Sequence, residues 1–319
     1  MAASDRFCSG CGLRLPPEPR ELSVALNVLR AFRNLFASRP PLTTVTGVVY
    51  ERLPPPPVAE SGKLVLIAVA LFAGFYALFF GLDPTRLMGN IMYFVATYGV
   101  ALLFLYWVYR SDKYEREPFK FVMFVFAWGV FSGLIAAPMN RALGPYFREF
   151  LGNEALAAPF VEEPAKALGL YLLVRHKVYG KEFNTPLDGI VYGFAAGMGF
   201  FAAENFMYFL MHGPINLVIR SLLCWGHGVY VATTGLWLAI GKVTRGRIEA
   251  ADLAPGLLVA MLLHFVWNGW GGWIGPLAAI AIFLQSSFML SYLRRMIKEA
   301  LRDEVLWGYA RGRAPVETY

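Results

Sequence analysis

A chain that repeats runs of 18 or more mostly apolar residues is committed to helices that leave water, because a hydrocarbon core of about 30 Å takes roughly 20 helical residues to cross. This sequence does so over residues 64–82, 88–109, 119–138, 154–175, 187–211, 216–240, 255–273 and 274–293, the last two meeting at Gly275 and Pro276. With 57% apolar and only 16% charged residues, it is also too hydrophobic for an ordinary soluble domain. The pattern predicts an all-α, polytopic membrane helix bundle of about eight transmembrane helices over residues 61–295. A segment over 1–60 precedes the bundle and a tail over 296–319 follows it.

Basic residues orient such a bundle, because cytoplasmic loops collect Lys and Arg and exported loops do not. Eight precede the first run, the next loops alternate between poor and rich in Lys and Arg, and six follow the last run. Every one of the 29 basic residues falls in a flank, in a loop or within five residues of the end of a run except Lys166. Both termini are therefore expected in the cytoplasm, with the protein spanning the inner (cytoplasmic) membrane several times. The net charge of +7 follows from this bias and from attraction to anionic lipid, so nucleic acid is not an expected partner. The N-terminus opens on polar residues and a Cys pair without a basic-then-apolar leader, so the first run is expected to serve as the insertion signal.

Three cysteines give no disulfide framework. Cys8 and Cys11 form a Cys-x-x-Cys knuckle, half of a tetrahedral zinc site, whose other two ligands would have to come from another chain. Over residues 21–37, Leu22, Leu26, Leu29, Phe32 and Phe36 recur at helical spacing beside Arg30 and Arg33, as in an interfacial amphipathic helix or one packed on the loops. Pro54 to Pro57 make a stiff spacer.

Ionisable groups inside apolar spans are costly and usually face a polar cavity with a function. Here they comprise Glu162, Glu163 and Lys166, then Glu204, His227 and His264, with Asn268 one turn beyond His264. On a helix Lys166 reaches either carboxylate, being three and four residues away. Pro159 and Pro164 each remove a backbone donor, so a kink is expected around the acidic pair. Counting about 1.5 Å per residue from the outer span ends puts Glu163, Glu204, His227 and His264 in one layer, roughly 10 to 16 Å deep. Asp188, at the cytoplasmic start of its span, reads better as a helix cap than as a catalytic group. Gly189, Gly193 and Gly197 recur every fourth residue, which lets a neighbouring helix approach and would hold Glu204 in register against the helix bearing Glu162 and Glu163. Trp237, Trp267, Trp270 and Trp273 read as lipid-interface anchors.

These residues resemble the motifs of the PrsW family of intramembrane peptidases, a branch of the group that includes the type II CAAX prenyl endopeptidases. The EExxK motif appears as Glu162, Glu163 and Lys166, FxxxE as Phe200 and Glu204, and the His-centred motif as His264, with Asn268 where many members have Asp. The likeness runs over residues 155–270 and includes the segment around His227. It implies hydrolysis of a peptide bond in single-span membrane proteins, such as anti-sigma factors, in regulated proteolysis.

Two chemistries follow. In one, Glu163 or Glu162 deprotonates a water that attacks the scissile carbonyl, while His264 and Asn268 stabilise the oxyanion and Lys166 tunes the carboxylates. In the other, Glu204, His227 and His264 hold a zinc ion with one open position, and the Glu pair is the base. An ion- or proton-coupled transporter and an inactive membrane scaffold are the rival classes. The chain has no repeat of the kind transporters are built from.

Overall fold

The computed structural model describes residues 84–114, 116–177, 179–212, 220 and 225–306. The Cys8–Cys11 knuckle, the amphipathic stretch, the proline spacer and the first apolar run lie outside them. Seven α-helices make up the described residues: α1 Pro84–Ser111, α2 Phe119–Leu151, α3 Ala158–Arg175, α4 Pro186–His212, α5 Gly226–Arg245, α6 Ala250–Ile274 and α7 Ala278–Leu306.

Four stretches among them are long and apolar enough to cross a membrane: Phe94–Ser111, Phe119–Leu151, Pro186–Phe209, and the α6–α7 stretch Ala250–Glu304. The expected run over 154–175 is divided. A 3-10 turn, Glu154–Ala157, is capped by Asn153, whose Oδ1 accepts the Ala155 N–H, and α3 proper starts at Ala158. Pro159 therefore occupies the first turn, where its missing N–H has no partner to lose, and only Pro164 lies inside the helix. The last two runs are separate helices, joined as expected through Gly275, which adopts φ 53°. That left-handed backbone is open to glycine at no steric cost.

Helix α4 is the axis of the bundle, buried at every residue from 186 to 203 and packed on α1, α2 and α5. Its glycines explain the closeness. A methyl on Gly189, Gly193 or Gly197 would overlap the backbone of Gly235, Val231 or His227 on α5. On the other side Gly199 of α4 and Gly129 of α2 press against the backbones of Phe126 and Ala196. Small residues are how helices associate where lipid is as apolar as leucine. The neighbour across Gly189, Gly193 and Gly197 is thus α5, which carries His227, and not the helix with Glu162 and Glu163. The spacing announces a close contact without naming the partner.

At its start α4 is closed by a reciprocal cap. Asp188 accepts the N–H groups of Asn184 (2.6 Å) and Thr185 (2.7 Å) and the Thr185 hydroxyl (2.6 Å), while Thr185 Oγ1 receives the Asp188 N–H. Helix α6 packs on α5 and α3, and α7 packs on α6, α4 and α5. The outer face of α7 exposes Ile280, Phe283, Leu284 and Phe288, a surface suited to lipid.

Candidate active site

Glu162, Glu163 and Lys166 lie just past the first turn of α3, which rests on α2 and α6. Lys166 is fully buried. Its ammonium bonds Glu163 Oε1 at 2.5 Å and His227 Nδ1 at 3.1 Å, and stands 4.2 Å from the centre of the Phe200 ring. The same Glu163 oxygen lies 2.8 Å from His264 Nδ1. His227 Nε2 lies 3.1 Å from Glu204 Oε2, which also receives Arg220 at 2.6 Å. Charged and polar groups of α3, α4, α5 and α6, with Arg220 from between α4 and α5, thus form one chain: Arg220, Glu204, His227, Lys166, Glu163, His264.

The donors assign the imidazole tautomers. An ammonium can only donate, so His227 Nδ1 accepts and its Nε2–H points to Glu204. Glu163 can only accept, so His264 Nδ1 carries the hydrogen. That leaves His264 Nε2 as the group facing Glu162, whose Oε2 is 4.0 Å away. Tyr230 stacks on the His264 ring with centroids 5.3 Å apart and fixes its plane.

Glu162 differs from its neighbour. Its Oε1 accepts Asn140 Nδ2 at 2.9 Å, and Lys166 Nζ stays 3.9 Å from Oε2. Oε2 is buried and has no hydrogen-bond partner among the described residues; the same holds for Glu163 Oε2, but of the two residues only Glu162 lines the cavity. Glu162, Glu204, His227 and His264 line a cavity of about 600 Å³ bounded by α2, α4 and α6. Glu163 and Lys166 stand behind that wall. A half-open cavity with ionisable groups and an unpartnered Glu162 oxygen in its wall residues is where a water and a scissile carbonyl can meet.

A family profile described as PrsW family intramembrane metalloprotease matches residues 117–293, more than half of the chain. The chain belongs to the PrsW family. Relatives named Protease PrsW are 28% identical over 200 residues in Bacillus subtilis (58% of this chain, 86% of the relative) and 29% over 199 residues in Geobacillus kaustophilus (56% and 80%). One from Clostridioides difficile is 26% identical over 180 residues (52% and 74%). No solved structure gives a significant match. The chain is thus an intramembrane protease, and the transporter reading is set aside.

Within this PrsW site, the carboxylate suited to a metal changes. Glu162, His227 and His264 each offer one ligand atom, all within 4.8 Å of one another. Glu204, the carboxylate expected from the sequence, is engaged by Arg220 and His227 instead. The Glu162, His227 and His264 donors fit a divalent ion, with His264 backed by Glu163 and His227 by Glu204 in the manner of carboxylate-supported metal histidines. Asn268 lines the cavity but gives an amide hydrogen to the Ala155 carbonyl (2.8 Å), tying α6 to the 3-10 turn. Trp267 is also in the cavity wall, and Trp270 donates to Gln285 at 2.7 Å, so neither acts only as an interface anchor.

Two residues of the site escape a sequence reading. Asn140 falls just past the expected end of its span and looks like a loop amide. Arg220 looks like an ordinary cation at the edge of its apolar run. Only their distances to Glu162 and Glu204 reveal them.

Proposed function

We propose that this PrsW-family protease hydrolyses a peptide bond of single-span membrane proteins through a water activated by Glu162. The Oε2 of Glu162, without a hydrogen-bond partner, 4.0 Å from His264 Nε2 and on a residue that lines the cavity, carries the reading. Glu162 takes a proton from water as the water oxygen bonds to the scissile carbonyl carbon. It then returns that proton to the leaving nitrogen as the carbon–nitrogen bond breaks. The second amide hydrogen of Asn268, and His264 Nε2 when it carries a proton, face the developing oxyanion. Glu163 holds His264 and Lys166 in place and keeps both bonds throughout.

A metal-dependent version rests on the donor set described above. A divalent ion held by Glu162, His227 and His264 would supply a Lewis acid that acidifies water and polarises the carbonyl. In that version Lys166 yields its bond to His227, because that lone pair is then needed as a ligand.

We further place both termini in the cytoplasm and the cavity in the outer half of the inner membrane, supported by the distribution of Lys and Arg. Substrates of the anti-sigma-factor kind follow from the family resemblance. Purified protein reconstituted with a single-span substrate tests the core of the proposal. Cleavage that persists in both Glu162→Gln and His264→Ala would overturn it. Retention of activity after exhaustive chelation, with no metal in the protein, would select the metal-free version.

A further inference from the structure

Asn140 poses a question that orienting Glu162 does not answer. Its Nδ2 donates to Glu162 Oε1, and this fixes the amide, because the reverse orientation would set Oδ1 against carboxylate lone pairs. Oδ1 is then left buried and without a hydrogen-bond partner among the described residues, on a residue that lines the same cavity. A buried acceptor left without a donor is destabilising, and such sites in native proteins call for an explanation.

The donor it lacks is one that a substrate brings. A transmembrane segment must unwind locally to present its scissile bond, and each backbone N–H released from the helix has no water to bond in the bilayer. Asn140 is hydrogen-bonded to Glu162, both residues line the cavity where that unwound stretch would lie, and each keeps one oxygen without a partner. The approach along α2 is cleared by Gly133, Ala136 and Ala137, one to two turns before Asn140, which also line the cavity. Large side chains at these positions would occupy the path of an extended chain.

We infer that Asn140 binds substrate: its Oδ1 accepts a hydrogen bond from a backbone N–H adjacent to the scissile bond, while its Nδ2 holds Glu162 in line. One amide then registers the substrate against the carboxylate. Substrate backbone is recognised there in extended form, so the contact selects segments that unwind over any particular side chain. This inference rests on the Glu162 peptidase reading.

Ester scanning tests it without relying on a variant to fold. A panel of quenched-fluorophore single-span peptides with alanine- and leucine-rich cores is cleaved by the reconstituted enzyme, and the cut site is located by mass spectrometry. Peptides are then made with one backbone N–H near that site, outside the scissile bond, replaced by an ester oxygen. At one position the ester lowers wild-type kcat/KM by roughly tenfold, the loss of one buried hydrogen bond. In Asn140→Ala, checked for an unchanged unfolding temperature, the amide peptide is slowed and that same ester adds no further loss. A wild-type enzyme indifferent to every ester, or an ester loss that persists undiminished in Asn140→Ala, overturns the contact and leaves Asn140 a positioning residue for Glu162. Failure of the wild type to cleave any peptide overturns the peptidase reading, and this inference with it.

Discussion

Glu163 Oε1 lies 2.8 Å from His264 Nδ1 while holding the Lys166 ammonium at 2.5 Å, so one carboxylate oxygen joins α3 to α6. Adjacent glutamates thereby acquire different duties. Glu163→Gln leaves the fully buried Lys166 short of its near counter-ion and is expected to cost about 3–5 kcal/mol of stability. Glu162→Gln keeps the fold and lowers turnover at least about a hundredfold. Thermal unfolding in detergent together with peptide cleavage separates the two; equal unfolding temperatures for both variants would refute the division.

The glycine seam gives a contrast within one protein. Gly193→Val pushes α4 from α5 against the Val231 and Ala232 backbone and is expected to destabilise by about 1–3 kcal/mol or more. Gly99, in the middle of α1, has open space where a methyl would go. Gly99→Ala is therefore expected to stabilise by up to about 1 kcal/mol through helix propensity. Unfolding temperatures of the two variants measure both signs.

If metal occupies the site, its content follows the donor set of the structure. Zinc measured by elemental analysis should fall well below one per chain in Glu162→Ala, His227→Ala and His264→Ala. Glu204→Gln should retain it, because Glu204 supports His227 without being one of the three donors. Loss of zinc in Glu204→Gln equal to that in Glu162→Ala would restore the ligand set expected from the sequence. Cys8→Ser and Cys11→Ser report separately on the N-terminal knuckle.

Glu117, in the loop between α1 and α2, supplies a pH dependence distant from the cavity. Burial holds its carboxyl protonated well above the ordinary value of 4.5, and Asp188 and Asp112 add to the effect, against the Tyr192 hydroxyl that donates to Oε2. The folded state therefore binds the proton more tightly than the unfolded chain. Stability is fully present below about pH 4.5 and declines as pH rises toward the folded value. Unfolding temperatures between about pH 5 and pH 8 should fall for the wild type and flatten in Glu117→Gln. An identical slope in the variant would assign the dependence to another group.

How much of this was readable in advance differs from residue to residue. Helices over α1, α2, α4, α6 and α7 follow from apolar runs, a local property of the chain. The Asp188 cap, the close contact of Gly189, Gly193 and Gly197, and the turn at Gly275 follow from single-residue chemistry. Glu162, Glu163, Lys166, His227 and His264 were conspicuous because a charged or ionisable group in a membrane span demands a reason.

Pairing between helices was not readable. Asn268 sits one turn from His264, yet its amide goes to Ala155, and Glu204 goes to Arg220, a residue 16 positions away along the chain. Asn140 meets Glu162 across 22 residues. Sequence by itself determined which groups had to be buried and that they needed partners, because solvation cost depends on residue type. Only the tertiary structure decided which carboxylate is tied to a lysine and a histidine and which lines the cavity, because that depends on distances of about 3 Å between side chains on separate helices.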